Sequence, residues 1–122
     1  WQTEYGDTPL HKACSHGRTE IVKLLLKHGG RQLPDKRKNT PLHRACRGGH
    51  TKVVKILLKH GGRQLPNKRK NTPLHLACRE GHTKVVKVLL NHGAQQIPNK
   101  YGVTPIEATS HPRIAALLRA HE

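Results

Sequence analysis

The chain of 122 residues has no Phe and no Met, and only one Trp and two Tyr. A core with a single centre usually rests on large side chains, so a layered stack filled by small aliphatics is the better expectation here. Acids are equally scarce: seven Asp and Glu face 23 Lys and Arg, for a formal net charge of +16. The seven are Glu4, Asp7, Glu20, Asp35, Glu80, Glu107 and Glu122, with no close pair placed for acid–base work. No Gly-rich phosphate loop or nucleophile elbow occurs, so catalysis finds no support. No apolar run approaches the ~20 residues that cross a bilayer. Trp1-Gln2-Thr3-Glu4 offers neither a Met nor an apolar signal region, and is expected to be the edge of a longer chain.

What the sequence does have is repetition. Thr-Pro-Leu-His starts at Thr8, Thr40 and Thr72, and Thr104-Pro105-Ile106-Glu107 begins a degraded fourth copy. The period is 32 (40 − 8, 72 − 40 and 104 − 72). Residues 8–39 match 40–71 at about 24 of 32 positions, and 40–71 match 72–103 at about 22 of 32. A recent duplication or a consensus design would both give such identity.

Each copy reads as helix, turn, helix, loop. Thr40 suits the N-cap, Pro41 the first helical position, and Gly48-Gly49 a stop. Thr51 is expected to cap a second helix whose Val53, Val54, Leu57 and Leu58 form one apolar stripe, with Lys52, Lys55 and Lys59 opposite and Gly61 as C-cap glycine. The scheme recurs at Ile21, Val22, Leu25 and Leu26, and at Val85, Val86, Leu89 and Leu90. One such hairpin cannot bury its apolar face alone, so neighbours must stack on it.

The run Thr-Pro-Leu-His-x-Ala-Cys, then Gly-His, Val-Val-Lys-x-Leu-Leu and His-Gly closely resembles the ankyrin repeat, over residues 8 to about 109. The resemblance implies an all-α solenoid of stacked antiparallel helix pairs with projecting β-hairpin or loop fingers. It also implies a concave face of fingers and first helices where partners bind, and a structural imidazole at His11, His43 and His75 bonded to loop backbone. The expected repeats are about 4–35, 36–67 and 68–99, with a C-terminal cap at 100–122 whose Ile114, Leu117 and Leu118 end the stack. Trp1 and Tyr5 are expected to cover the first repeat's edge. Two features depart from the family pattern. The usual period is 33, and the central fingers carry Lys38 and Lys70 where Gly6 and Gly102 stand in the flanking ones. Asn39 and Asn71 follow, and Asn tolerates the left-handed region better than Lys, which leaves the tip geometry open.

Cys14, Cys46 and Cys78 recur at one helical position, 32 apart, so successive thiols lie about one helix-packing distance of ~10 Å from each other. That is too far for a disulfide or a shared zinc. Buried free thiols and an intracellular setting, cytoplasm or nucleus, are expected. The 11 His give no converging ligand set: His50 and His82 sit at interhelix turns, and His28, His60 and His92 at helix C-termini. No cofactor is implied.

The basic clusters are the informative feature. Lys36-Arg37-Lys38 and Lys68-Arg69-Lys70 occupy the two central finger tips, and Arg31 and Arg63 enter the same loops. Arg44, Arg47 and Arg79 on first helices are expected to extend the patch into the concave face. The flanking tips, Glu4-Tyr5-Gly6-Asp7 and Lys100-Tyr101-Gly102-Val103, lack the cluster, which favours an anion-binding ledge over a solvated charge run copied by duplication. The expected contacts are Lys36, Arg37, Lys38, Lys68, Arg69, Lys70, Tyr101, Arg47 and Arg79, of which Arg and Tyr are interface-anchoring types. The leading function is a monomeric, non-enzymatic scaffold that binds an acidic protein segment. One alternative is a binder of nucleic acid, heparin-like glycan or phosphoinositide through backbone charge, which the shortage of stacking aromatics weakens for single strands. Another is a consensus-like scaffold without an evolved partner.

Overall fold

The protein's structure, a computed structural model, describes residues 6–121. Four helix pairs follow one another: α1 (Pro9–Ser15) with α2 (Thr19–Lys27), α3 (Pro41–Gly48) with α4 (Thr51–Lys59), α5 (Pro73–Arg79) with α6 (Thr83–Asn91), and α7 (Pro105–Ala108) with α8 (Pro112–Ala120). The first helices pack in one row, α1 on α3 on α5 on α7, and the second helices in a parallel row from α2 to α8. Between the rows lies a continuous aliphatic core in which Leu42, Val54, Leu57, Leu74, Val86 and Leu89 are fully buried.

Each first helix starts with the same device. The Thr40 hydroxyl accepts from the His43 backbone N–H, while the Thr40 N–H donates to His43 Nδ1 at 3.0 Å. The other ring nitrogen, Nε2, donates to the Asn71 carbonyl of the next finger at 3.1 Å. His11 reaches Asn39 and His75 reaches Val103 in the same way. One imidazole thus closes a capping box and ties its helix to the following loop. Both bonds need the neutral Nε2–H tautomer, because a proton on Nδ1 would face the threonine N–H. Burial accordingly pushes the His43 pKa down to about 4, against the opposing pull of its bond to Asn71.

Two local expectations are corrected. Thr51 does not cap α4: it is the first helical residue, and His50 holds the N-cap without a side-chain cap bond. The His50 ring instead reaches back to the Ser15 carbonyl at 3.0 Å, and His82 does the same to Arg47. A Cβ on Gly17 would sit 2.4 Å from the His50 ring, and the turn admits only glycine there. Gly61 lies in the left-handed region one residue past His60, the place expected for the glycine that ends α4. Finally, Ile21 does not join the core. It is 47% exposed, whereas its counterpart Val53 is 1% exposed because the first repeat covers it. Among the described residues nothing covers Ile21 in the same way, and the expected cover by Trp1 and Tyr5 lies outside the described residues.

Of the β-hairpin or loop fingers implied by the resemblance, the loop form is found: among the described residues there are no strands, and the fingers are tight turns. Pro34, Pro66 and Pro98 stand at each finger base without an N–H to give to a ladder. One backbone bond, Asp35 N–H to the Asn39 carbonyl, spans the base of the second finger, and Asn67 to Asn71 spans that of the third.

Candidate functional site: a basic finger row and the cavity beneath it

The central tips are built by the residue that precedes each cluster. The Asp35 carboxylate accepts from the backbone N–H groups of Arg37 (2.8 Å) and Asn39 (2.9 Å). Asn67 does this for Arg69 and Asn71, and Asn99 for Tyr101 and Val103. The Lys38 N–H bonds the Asp35 carbonyl and the Lys70 N–H bonds the Asn67 carbonyl, each closing a four-residue turn. These bonds fix the left-handed position at Lys38 (φ 62°) and Lys70 (φ 60°), not at the more tolerant Asn39 and Asn71. The sequence left this geometry open, since side-chain tolerance alone does not reveal the register that Asp35 and Asn67 impose. A lysine in this region costs roughly 1–2 kcal/mol.

The fingers are joined to each other. Lys68 N–H donates to the Arg37 carbonyl at 2.9 Å and Lys100 N–H to the Arg69 carbonyl at 2.8 Å. The Asn67 amide donates to Asn39 Oδ1 and the Asn99 amide to Asn71 Oδ1. The cationic tips are therefore a backbone-linked row, with Lys36, Arg37, Lys38, Lys68, Arg69 and Lys70 all exposed. Tyr101, 72% exposed, stands at the far end of this row.

Below the row the structure divides the expected contacts into two groups. Arg37, Lys68 and Arg69 from the fingers meet Arg47 of α3 and Arg79 of α5 around one cavity of about 450 Å³, with Asn39, Asn67, Asn71, His43 and Leu76 completing its wall. Lys36, Lys38, Lys70 and Tyr101 are exposed on the finger tips and do not line it. Arg44 also touches the cavity but does not extend the free charge as expected: its guanidinium binds Asp35 Oδ2 at 3.0 Å and Asp7 Oδ1, with Ser15 as a further acceptor. Burial tends to raise the Asp35 pKa, but bonds from the Asn39 N–H, the Arg44 guanidinium and the Arg37 N–H outweigh it and hold the carboxyl below its usual range. Arg79 has only a long pair with Glu80, 3.9 Å apart and half exposed. Among the described residues neither Arg47 nor Arg69 has a carboxylate within ion-pair distance.

Asp35, Asn67 and Asn99 form a series 32 residues apart that sequence reasoning overlooked by treating the acids separately from the amides. Gln32 and Gln64 form another, each donating to the last carbonyls of the next repeat's second helix. Cys14, Cys46 and Cys78 are buried and unpaired, and burial pushes the Cys14 and Cys78 thiols up to about 12 and raises Cys46 as well. Thiols so placed fill space and are poor nucleophiles. Among the described residues no three His, Cys, Asp or Glu converge on a metal position, and no helix is long and apolar enough to cross a membrane.

The family model for ankyrin repeats in three copies matches residues 1–66, and the single ankyrin-repeat model matches residues 69–100. The chain belongs to the ankyrin-repeat family. Ankyrin repeats are generally protein-binding scaffolds and typically have no catalytic role. No curated protein matches the chain. In this ankyrin stack the fingers and first helices carry the basic cavity, and the second helices turn Lys23, Lys52, Lys55, Lys84 and Lys87 outward on the opposite side.

Proposed function

We propose that the protein is a monomeric, non-catalytic binding module that grips an acidic, extended protein segment between its basic fingers and the first helices. The observation that carries this reading is the hydrogen-bonded row of cationic tips above arginines of which Arg47, among the described residues, has no carboxylate within ion-pair distance. The contacts are Lys36, Arg37, Lys38, Lys68, Arg69, Lys70 and Tyr101 along the row, with Arg47 and Arg79 beneath. The spacing of the row supports an extended peptide. Lys68 lies one backbone bond from Arg37, about 4.8 Å across, and one residue, about 3.8 Å, from Arg69. Equivalent tips are then roughly 9 Å apart, close to one turn of an extended polyproline-II segment, three residues at ~3.1 Å each, which returns every third side chain to the same face. Acidic side chains at every third position would meet successive fingers. Nucleic acid is less suited, because among the described residues Tyr101 is the one exposed aromatic of the row and offers a single stacking platform. The three unpaired thiols agree with a reducing, intracellular setting.

The test is binding of a degenerate peptide library with acid-biased positions, at about 0.15 M salt, where exposed charges are screened beyond ~8 Å. Replacing Lys36, Arg37, Lys38, Lys68, Arg69 and Lys70 by Ala should weaken retention at least tenfold without lowering the melting temperature. Unchanged retention would remove the ledge from the function. If RNA or heparin is bound with a steep salt slope while no acidic peptide is retained, the protein is a polyanion binder instead.

A further inference from the structure

We infer that the cavity between the second and third fingers is a phosphate site, and that the acidic segment carries a phosphorylated serine or threonine into it. This rests on the acidic-segment reading and adds the group that the segment must bear. Three arginines from different elements line the space: Arg69 from the third finger, Arg47 from α3 and Arg79 from α5, the last also 3.9 Å from the exposed Glu80 carboxylate. Arg37 and Lys68 form the rim beside them. No acid lines this cavity. Its neighbour one repeat earlier is lined by Asp7, Asp35 and Glu80, and there Arg44 is already paired. Three replacements in the repeat contribute to the difference: Asn39 stands where Asp7 would fall, Asn67 where Asp35 would, and Leu76 where Arg44 would.

The backbone holds the basic residues in place before any ligand arrives. Arg69 is anchored on both sides, its N–H to Asn67 Oδ1 at 3.0 Å and its carbonyl to the Lys100 N–H. The Arg47 carbonyl accepts from His82 Nε2 at 2.9 Å. Side chains on fixed stems lose less freedom on binding. A carboxylate is planar and is satisfied by one guanidinium fork. A phosphate monoester brings a charge of about −1.5 to −2 and three acceptor oxygens, which suits donors converging from three sides. A volume of about 450 Å³ holds the phosphoryl group and the residue bearing it, within the ~300–1,000 Å³ of ordinary ligand sites.

The experiment compares three acid-biased peptide libraries that differ at one fixed central position: phosphoserine, Glu or Ser. Wild-type protein should retain the phosphoserine library about tenfold or more above the Glu library, a difference of about 1.4 kcal/mol. The R47Q/R69Q double variant should lose that preference while keeping its melting temperature, since both side chains are exposed. A K38A/K70A variant should weaken all three libraries alike and keep the preference. Equal retention of the phosphoserine and Glu libraries would overturn the phosphate site and leave the acidic-segment reading intact. A preference that survives R47Q/R69Q would also overturn it, because the phosphate would then sit elsewhere. Retention of none of the libraries would sink the acidic-segment reading itself. If inositol hexakisphosphate binds with the same arginine dependence and the peptides show no preference, the cavity takes a diffusible or lipid-borne phosphate and the proposal fails.

Discussion

The two cavities under the fingers lie one repeat apart and share a wall of Arg37, Asn39, Arg44 and Arg47, yet their electrostatics are opposite in kind. In the first, Asp7 and Asp35 clamp Arg44, so the charge is spent on internal bonds. In the second, Asn67 builds the same finger turn without bringing a charge, and Leu76 places a hydrocarbon where a guanidinium would stand. Repeats with about three quarters of their residues in common can therefore carry one self-satisfied site and one open site. An amide and a carboxylate are equivalent for capping a turn but not for neutralising a neighbour. Duplication supplies the scaffold, and three substitutions, Asn39 for Asp7, Asn67 for Asp35 and Leu76 for Arg44, remove the clamp from the later copy.

The largest effect should come from acid, which attacks the histidine scaffold common to both cavities. His11, His43 and His75 are all held below the ordinary value of 6.5 by burial, His43 at about 4. A histidine depressed in the folded state binds protons more readily when unfolded, so stability falls as pH drops below 6.5 and keeps falling toward 4. At 1.36 kcal/mol per pH decade, His43 alone should remove about 3 kcal/mol across that window. Asp35 adds its loss lower still, as pH falls through its depressed value. Urea unfolding followed from pH 7 to pH 4.5 should show the decline. A flat profile would mean that the rings are not held neutral.

A smaller effect should convert one cavity into the other. Asp35→Asn keeps the finger turn, as Asn67 does, but strips Arg44 of one partner, at a cost of about 1–2 kcal/mol after allowance for partial exposure. Arg44→Leu alone leaves the nearly buried Asp35 without its counter-charge. The double variant reproduces the Asn67 and Leu76 pattern and should cost about 1 kcal/mol less than the two single changes added together. Strict additivity in chemical denaturation would contradict the clamp.

The smallest effect separates strain from charge at the tips. Lys38→Gly relieves the left-handed lysine and should stabilise by about 0.5–1 kcal/mol, net of the entropy glycine adds to the unfolded chain. Lys38→Ala removes the same charge but keeps the strain, and should not stabilise. Equal melting temperatures for the two variants would show that charge, not backbone, sets the tip energetics.

Most of the fold was legible because its signals are local and periodic. Thr-Pro at each helix start and the aliphatic stripe from Val53 to Leu58 need only chain spacing to be read. The candidate site was legible only as a list of cations. Their grouping was not, since Arg47 and Arg69 come together across separate elements around a cavity that Lys38 and Lys70 do not line. Ile21 misled for a related reason: its spacing matches Val53, but burial depends on which neighbour lies over it.

By itself, the sequence determined the repeat unit, the helix pairs, the buried cysteines and the surplus of positive charge. All of these follow from residue type at a fixed period. Only the tertiary structure decided where that charge is cancelled. Ion pairing depends on distance and burial, and the residues that matter, Asp7, Asp35 and Arg44, come from two repeats and meet only when the layers stack.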